Sequence, residues 1–151
     1  MRNPPTRLLP PGYFLLSLVT IAVASWLLPG SPPAGTLFRW LALPPFVIGV
    51  ALFVFTVANF KRTRTPLRPL KEAGVLMTGG TFRFSRNPIY LGMTLVLMAA
   101  AIYSGVPYLF VVPLLFAVII QKRFIELEEE FLTEHFGDAY LEYRKRVRRW
   151  L

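Results

Sequence analysis

Apolar residues occur in four long runs along the chain, and nearly all charged residues lie outside these runs. The runs cover residues 13–28, 40–60, 89–103 and 107–125. A helix needs roughly 20 apolar residues to cross a bilayer, and the second run meets this length by itself. The pattern predicts an all-α integral membrane protein with four transmembrane helices in a single membrane-embedded domain.

The last two runs belong to one uncharged stretch from Ile89 to Gln121. This stretch is too long for one ordinary span and short for two, so we interpret it as a helical hairpin that turns at SGVP, residues 104–107. A single kinked helix is the alternative interpretation. The fourth helix is expected to continue past Lys122 and Arg123, because their long side chains can reach the membrane interface.

The basic residues lie almost entirely on one side of these four predicted spans. They precede the first span, separate the second from the third and follow the fourth, and Arg39 is the exception. Cytoplasmic loops of membrane proteins carry an excess of Lys and Arg, so both termini are predicted to be cytoplasmic. Pro29 and Gly30 make a poor signal-peptide cleavage site, so the first run is interpreted as a retained span.

Composition supports the membrane class and argues against several kinds of chemistry. The chain has 151 residues, of which 54% are hydrophobic and 17% charged, which is too apolar for an ordinary soluble domain. It contains no cysteine and one histidine, His135, so neither a thiol nucleophile nor a metal centre is expected. The net charge of +9 follows the predicted spans, so we expect no nucleic-acid partner.

One segment, GGTFRFSRNPIYLG at residues 79–92, places two arginines beside the start of a helix at the edge of an apolar run. Arg83 and Arg86 precede Pro88, whose fixed φ suits the first turn of a helix. The N–H groups of a helix start favour anions, and neighbouring guanidinium groups strengthen that preference. The segment predicts a site for the carboxylate or phosphate group of a small ligand at the membrane surface.

Acidic residues cluster directly after the fourth run. Glu128 and Glu129 lie within two helical turns of the hydrocarbon, where they are expected to be partly desolvated against the loop arginines. Glu126, Glu130 and Glu134 are interpreted as a solvated face with pairs between residues four apart.

The chain is expected to break at Gly137 and to continue as a short helix over residues 139–149. This helix carries Tyr140, which is expected to pack back on the core, and a basic run that ends at Trp150. Such a pattern is typical of a helix that lies on the membrane. We therefore predict a cytoplasmic C-terminal helical extension.

Two of these segments together resemble a known family. SRNPIYLG at 85–92, paired with EEEFLTEHFGDAYLEYRKRV at 128–147, is similar to the bacterial branch of the isoprenylcysteine carboxyl methyltransferase family. The resemblance covers about residues 65–151, with the two motifs in order and an apolar hairpin between them. It implies a methyltransferase of the bacterial inner membrane that uses S-adenosylmethionine as cofactor.

The resemblance also implies a cofactor site formed by the Arg-x-Pro-x-Tyr segment, the adjoining helix starts and the paired glutamates. The matching residues are Gly80, Phe82, Arg86, Pro88, Tyr90, Glu128 and Glu129. Asn87 replaces the histidine of eukaryotic members and is included in the predicted site, as is Arg83, which can bind the carboxylate of the cofactor. Arg123 and Glu129 are predicted to orient the methyl acceptor or to remove its proton.

The function predicted from these residues is methyl transfer to a lipophilic small molecule or a lipid-linked acceptor that arrives from the bilayer. The sequence leaves O-, N- and S-methylation open. Two alternatives are an NADPH-dependent reductase of a lipid double bond, similar to sterol reductases, and a non-enzymatic membrane module that binds anionic lipid through its basic face.

Overall fold

The computed structural model describes residues 9–27, 35–62 and 75–151, and these residues are predominantly helical. Seven α-helices occur in this part: α1 Pro10–Leu27, α2 Gly35–Trp40, α3 Leu43–Arg62, α4 Pro88–Ser104, α5 Val111–Ile120, α6 Glu126–Phe136 and α7 Asp138–Arg146. Two 3-10 turns cover Gly80–Arg83 and Pro107–Phe110, and a π-helical turn, Gln121–Ile125, joins α5 to α6. The described ranges contain no strand, so the all-α prediction is confirmed.

Three helical segments are long and apolar enough to cross a membrane: Pro10–Leu27, Phe38–Arg62 and Pro107–Phe136. The remaining apolar helix, α4, has 17 residues and is shorter than these. Large apolar side chains on α1, α3 and α5 remain exposed, as expected of helices that contact lipid. These properties are those of a membrane protein. The first predicted span extends to residue 28, which lies outside the described part of the chain, as do Pro29 and Gly30.

The turn predicted between the last two apolar runs is confirmed. Helix α4 ends at Ser104, and Gly105 follows with a left-handed φ of 70°. The Ser104 hydroxyl accepts a hydrogen bond from the N–H of Val106 at 3.2 Å, and a 3-10 turn then leads into α5. Because α4 and α5 are separate helices that pack together, the alternative of a single kinked helix is wrong.

The last long helix continues beyond residue 125, where the fourth span was predicted to end, up to the break predicted at Gly137. The segment Pro107–Phe136 is helical over 30 residues, with the π-helical turn in its middle. It ends before Gly137, where a break was predicted, and α7 begins at Asp138. Helix α7 stops at Arg146, whereas the predicted helix reached residue 149. The cause is tertiary, because residues after Arg146 leave the helix and bond to the segment that precedes α4.

Helix α4 occupies the centre of the fold and packs against α1, α3 and α5. Its closest neighbour is α3, and the two backbones meet at Gly49 and Gly92. A Cβ atom on Gly49 would lie 2.7 Å from the carbonyl oxygen of Gly92, and a Cβ on Gly92 would lie 2.7 Å from that of Gly49. Membrane helices use small residues for such close packing. The contact fixes the first turns of α4 against the first half of α3.

Candidate functional site

The two sequence motifs meet at a buried ion pair. Arg86 lies two residues before the start of α4, and its side chain donates from Nη2 to Oε1 of Glu129 on α6 at 2.8 Å. Each of these side chains is 8% exposed. A charge removed from water to this extent needs an oppositely charged partner, so neither residue is an ordinary surface charge.

A second arginine completes the coordination of this carboxylate. Arg149 donates from Nε to Oε1 of Glu129 at 3.0 Å and from Nη2 to Oε2 at 2.7 Å. These hydrogen bonds raise the pKa of Arg149 above its ordinary value. Two guanidinium groups thus share one carboxylate, and the triad of Arg86, Glu129 and Arg149 carries a net positive charge. We refer to these three residues as the Glu129 triad.

The sequence pattern places Arg149 on an interfacial basic helix, outside the predicted site. The chain brings it to Glu129 because the tail after α7 runs back along residues 85–87. The N–H of Arg86 donates to the carbonyl oxygen of Arg148 at 3.0 Å, and the Ser85 hydroxyl donates to that of Arg149 at 3.2 Å. No local pattern distinguishes Arg149 from the neighbouring arginines, so only the tertiary path of the tail reveals its role.

Asn87 holds the same tail. Its side-chain amide donates to the carbonyl oxygen of Arg149 at 3.1 Å, and its own N–H donates to the Ser85 hydroxyl at 3.1 Å. Further along, the Trp150 indole donates to the side-chain oxygen of Gln121 at 2.9 Å. The residue that departs from the eukaryotic motif therefore serves to fasten the tail.

The second glutamate of the predicted pair also meets the first motif. The Tyr90 hydroxyl donates to Oε1 of Glu128 at 2.8 Å. Tyr90 lies in the first turn of α4, which begins at the fully buried Pro88. The structure thus brings Arg86, Tyr90, Glu128 and Glu129 together, as the resemblance implied.

Two buried hydrogen-bond donors in this region have no partner in the described part of the chain. They are Nε of Arg86 and the hydroxyl of Tyr140, and Tyr140 is 1% exposed. Burial raises the pKa of Tyr140 to about 12, so its hydroxyl stays protonated at neutral pH. Buried donors without acceptors are rare in native structures, and these two are suited to an acceptor such as a ligand carboxylate. Tyr140 was predicted to pack on the core, and its burial confirms this.

Gly80 and Phe82 lie on the 3-10 turn before α4 and contact other elements. A Cβ on Gly80, whose φ is +62°, would lie 2.9 Å from Nδ2 of Asn59. The Phe82 ring packs edge-on against Phe60 with centroids 5.7 Å apart, and its carbonyl oxygen accepts a hydrogen bond from Tyr143 at 2.7 Å. Through Tyr143, the turn is linked to α7.

Arg83 and Arg123 are not part of this cluster. Arg83 is exposed and lines a separate groove beside the end of α3. Arg123 is exposed as well, and its Nη1 lies 3.5 Å from the hydroxyl of Tyr13 on α1. Lys122 pairs with Glu126 at 2.9 Å, which confirms the interpretation of Glu126 as part of a solvated face. Within the described residues, no group of three or more His, Asp or Glu could hold a metal ion.

Comparison with known proteins agrees with the resemblance noted in the sequence. A family model described as phospholipid methyltransferase matches residues 37–139, which is more than half of the chain. The chain is 36% identical over 76 residues to a protein-S-isoprenylcysteine O-methyltransferase of Schizosaccharomyces pombe, a match that covers 48% of this chain and 31% of that protein.

A protein of Haemophilus influenzae, described as uncharacterized, is 35% identical over 63 residues. That match covers 42% of this chain and 100% of the relative. No solved structure matches the chain. The family model ends before Arg149, so the tail arginine of the triad lies outside the matched segment.

Proposed function

Since this chain belongs to the phospholipid methyltransferase family, we propose that it is an S-adenosylmethionine-dependent enzyme that methylates a lipophilic acceptor at the cytoplasmic face of the membrane. Family membership and the apolar helices support a membrane enzyme that transfers methyl groups. The observation that carries the finer proposal is the burial of Arg86 and Glu129 against each other, with Tyr90 and Glu128 beside them.

The residues of this cluster fit the chemistry of the proposed cofactor. S-adenosylmethionine presents a carboxylate, an ammonium group, ribose hydroxyls and a sulfonium. Nε of Arg86 and the Tyr140 hydroxyl are buried donors suited to the carboxylate. Glu128 offers a carboxylate to the ammonium group or a ribose hydroxyl. When bound, the cofactor supplies an electrophilic methyl group.

The protein contributes alignment, electrostatics and the exclusion of water. Methyl transfer to a positioned acceptor depends mainly on geometry and on a dry site. Tyr90 orients Glu128 through their 2.8 Å hydrogen bond. Glu129 is shared by two guanidinium groups, so we assign it to the positioning of Arg86 and not to proton removal. Arg123, in the middle of the π-helical turn, remains the proposed contact for the acceptor.

We further propose that α1, the α2–α3 segment, α4 and the helix Pro107–Phe136 all cross the membrane, with the triad and α7 on the cytoplasmic side. Helix α4 rises about 26 Å at 1.5 Å per residue, and its burial among α1, α3 and α5 suits a short central span.

The absence of native cysteine makes this orientation testable. We expect Glu142→Cys to react with a membrane-impermeant thiol reagent only when the cytoplasmic face is accessible, and Tyr108→Cys only from the opposite face. Labelling of both variants from the same face would refute the four-span arrangement.

The proposed cofactor is tested by calorimetry on the purified protein. We expect binding of S-adenosylmethionine and of its demethylated product, and we expect Glu128→Gln to weaken that binding by roughly tenfold or more, because a hydrogen bond to a charged group contributes about 1.5–3 kcal/mol. Glu130→Gln changes the neighbouring exposed side chain in the same way and should leave the affinity unchanged. Preferential binding of NADPH, or no binding of either cofactor, would overturn the proposal.

A further inference from the structure

A concave surface lies between the 3-10 turn Gly80–Arg83 and the last turns of α3. It is an open concavity of about 430 Å³, and the residues that matter here are Phe55, Arg62, Gly80, Thr81, Arg83 and Phe84. We refer to it as the α3 groove. None of its lining residues belongs to the Glu129 triad or to the pair of Tyr90 and Glu128. The groove is therefore separate from the proposed site of methyl transfer.

The groove has a fixed floor because the turn is fastened to α3. The hydroxyls of Thr56 and Thr81 lie 2.8 Å apart, and Thr56 is fully buried. Asn59 donates from Nδ2 to the carbonyl oxygen of Gly79 at 3.3 Å. Gly80 lets the turn approach Asn59 so closely that a Cβ at that position would clash. Contacts between the 3-10 turn and α3 thus hold the two elements that form the groove.

The lining combines exposed aromatic surface with unneutralised positive charge. Phe55 and Phe84 are 65% and 72% exposed, so the described part of the chain leaves two large apolar rings uncovered. Arg62 and Arg83 are exposed, and neither forms an ion pair within the described part of the chain, in contrast to Arg86 and Arg149. Among the residues that the structure describes, none of those lining the groove is acidic. Such a surface complements a molecule with an anionic group and a hydrocarbon chain.

The position of the groove at the end of an apolar helix indicates the source of that molecule. Helix α3 is apolar up to its last turn, which carries Lys61 and Arg62. Basic residues at the end of an apolar span mark the level of the lipid headgroups. A guanidinium group pairs well with a phosphate, and basic clusters at this depth attract anionic lipid.

From these observations we propose that the α3 groove binds one anionic phospholipid of the same leaflet, with its phosphate between Arg62 and Arg83 and an acyl chain along Phe55 and Phe84. The bound lipid is a ligand of the fold and does not depend on the methyltransferase reaction. The lipid would cover the surface of the 3-10 turn that lines the groove. The same turn is linked to α7 by the hydrogen bond from Tyr143 to the carbonyl oxygen of Phe82.

Native mass spectrometry of the detergent-solubilised protein tests this proposal, with phosphatidylglycerol and phosphatidylcholine added in turn. We expect one phosphatidylglycerol to be retained and phosphatidylcholine to be lost under the same activation energy. Arg62→Gln and Arg83→Gln should each weaken retention of phosphatidylglycerol at least fivefold, measured as the apparent dissociation constant. Equal retention of both lipids would overturn the proposal.

Lys61→Gln is the matched control, because it removes the same charge from the same helix end at a residue that does not line the groove. It should leave phosphatidylglycerol retention unchanged, and a loss as large as that of Arg62→Gln would overturn the proposal in favour of a diffuse electrostatic attraction. The S-adenosylmethionine affinity of Arg62→Gln should equal that of the unmodified protein. That measurement separates failure of the lipid site from failure of the proposed cofactor site.

Discussion

The buried pair of Arg86 and Glu129 leads to a sharp prediction for Glu129→Gln. The substitution keeps the volume of the side chain and removes its charge. The guanidinium of Arg86, whose side chain is 8% exposed, then loses its carboxylate partner and keeps only the carbonyl oxygens of Arg144 and Val147 as acceptors. Removing one member of a buried ion pair costs about 3–5 kcal/mol, because the remaining charge is left uncompensated. Arg149 is 29% exposed and can be rehydrated, so most of the cost comes from Arg86.

For a chain of this size, a loss of 3–5 kcal/mol corresponds to a fall in the melting temperature of roughly 6–20 °C. The assay is a thermal scan of the purified protein in detergent at a fixed heating rate. Glu130→Gln is the control, because its side chain is exposed and adjacent in sequence, and a surface change of this kind stays within about 0.5 kcal/mol.

A double substitution, Glu129→Gln with Arg86→Met, tests whether the loss of stability comes from an unpaired buried charge. With both charges removed, no buried charge is left without a partner, so the double variant should be more stable than the sum of the two single losses predicts. If Glu129→Gln lowers the melting temperature no more than Glu130→Gln does, the pair is not desolvated and the argument fails.

Three further predictions concern the tyrosines and the helix crossing. Tyr140→Phe removes an unpartnered buried hydroxyl and should leave the melting temperature unchanged or higher while weakening S-adenosylmethionine binding, whereas Tyr143→Phe loses a 2.7 Å hydrogen bond and should cost about 1 kcal/mol. Gly92→Ala should lower the melting temperature by several degrees, because its Cβ would meet backbone at 2.7 Å, and Gly79→Ala, with open space around it, should not. Burial raises the pKa of Tyr140 to about 12 and also raises the pKa of Tyr143. In alkaline unfolding scans the free energy of unfolding should therefore be constant up to about pH 10 and fall between pH 10 and 12. The fall should be less steep in the Tyr140→Phe variant.

The helical architecture could be predicted well from the apolar runs. The side chains of each run must lie either in the protein interior or against lipid over most of its length. The turn at residues 104–107 was also predictable, since Gly105 and Pro107 both interrupt a helix there. The end of α7 was not. Its predicted continuation to residue 149 had the right composition, but hydrogen bonds from Ser85 and Arg86 to the tail draw those residues out of the helix.

The contacts between the two sequence motifs could be predicted. The sequence did not show which of two similar arginines would reach the site. Glu128 and Glu129 were paired with the segment around Arg86 on the strength of the resemblance, and both contacts are present. Arg83 and Arg86 are three residues apart and identical in chemistry. The 3-10 turn and the buried Ser85 between them direct one to an open groove and the other to Glu129. That separation depends on the contact with α3, which no local pattern encodes.

The π-helical turn at Gln121–Ile125 has a consequence for the relation between α5 and α6. A turn of this kind holds one residue more than a regular α-helical turn, so everything beyond it is offset by one position around the helix axis. Deleting one residue within the turn would restore a continuous α-helix and rotate α5 by about 100° relative to Glu128 and Glu129. The lipid-facing row of α5 would then be carried toward the protein interior while the carboxylates kept their partners. The extra residue therefore sets the facing of α5 separately from that of α6. Apolar side chains of α5 can face the lipid while the carboxylates of α6 face the arginines.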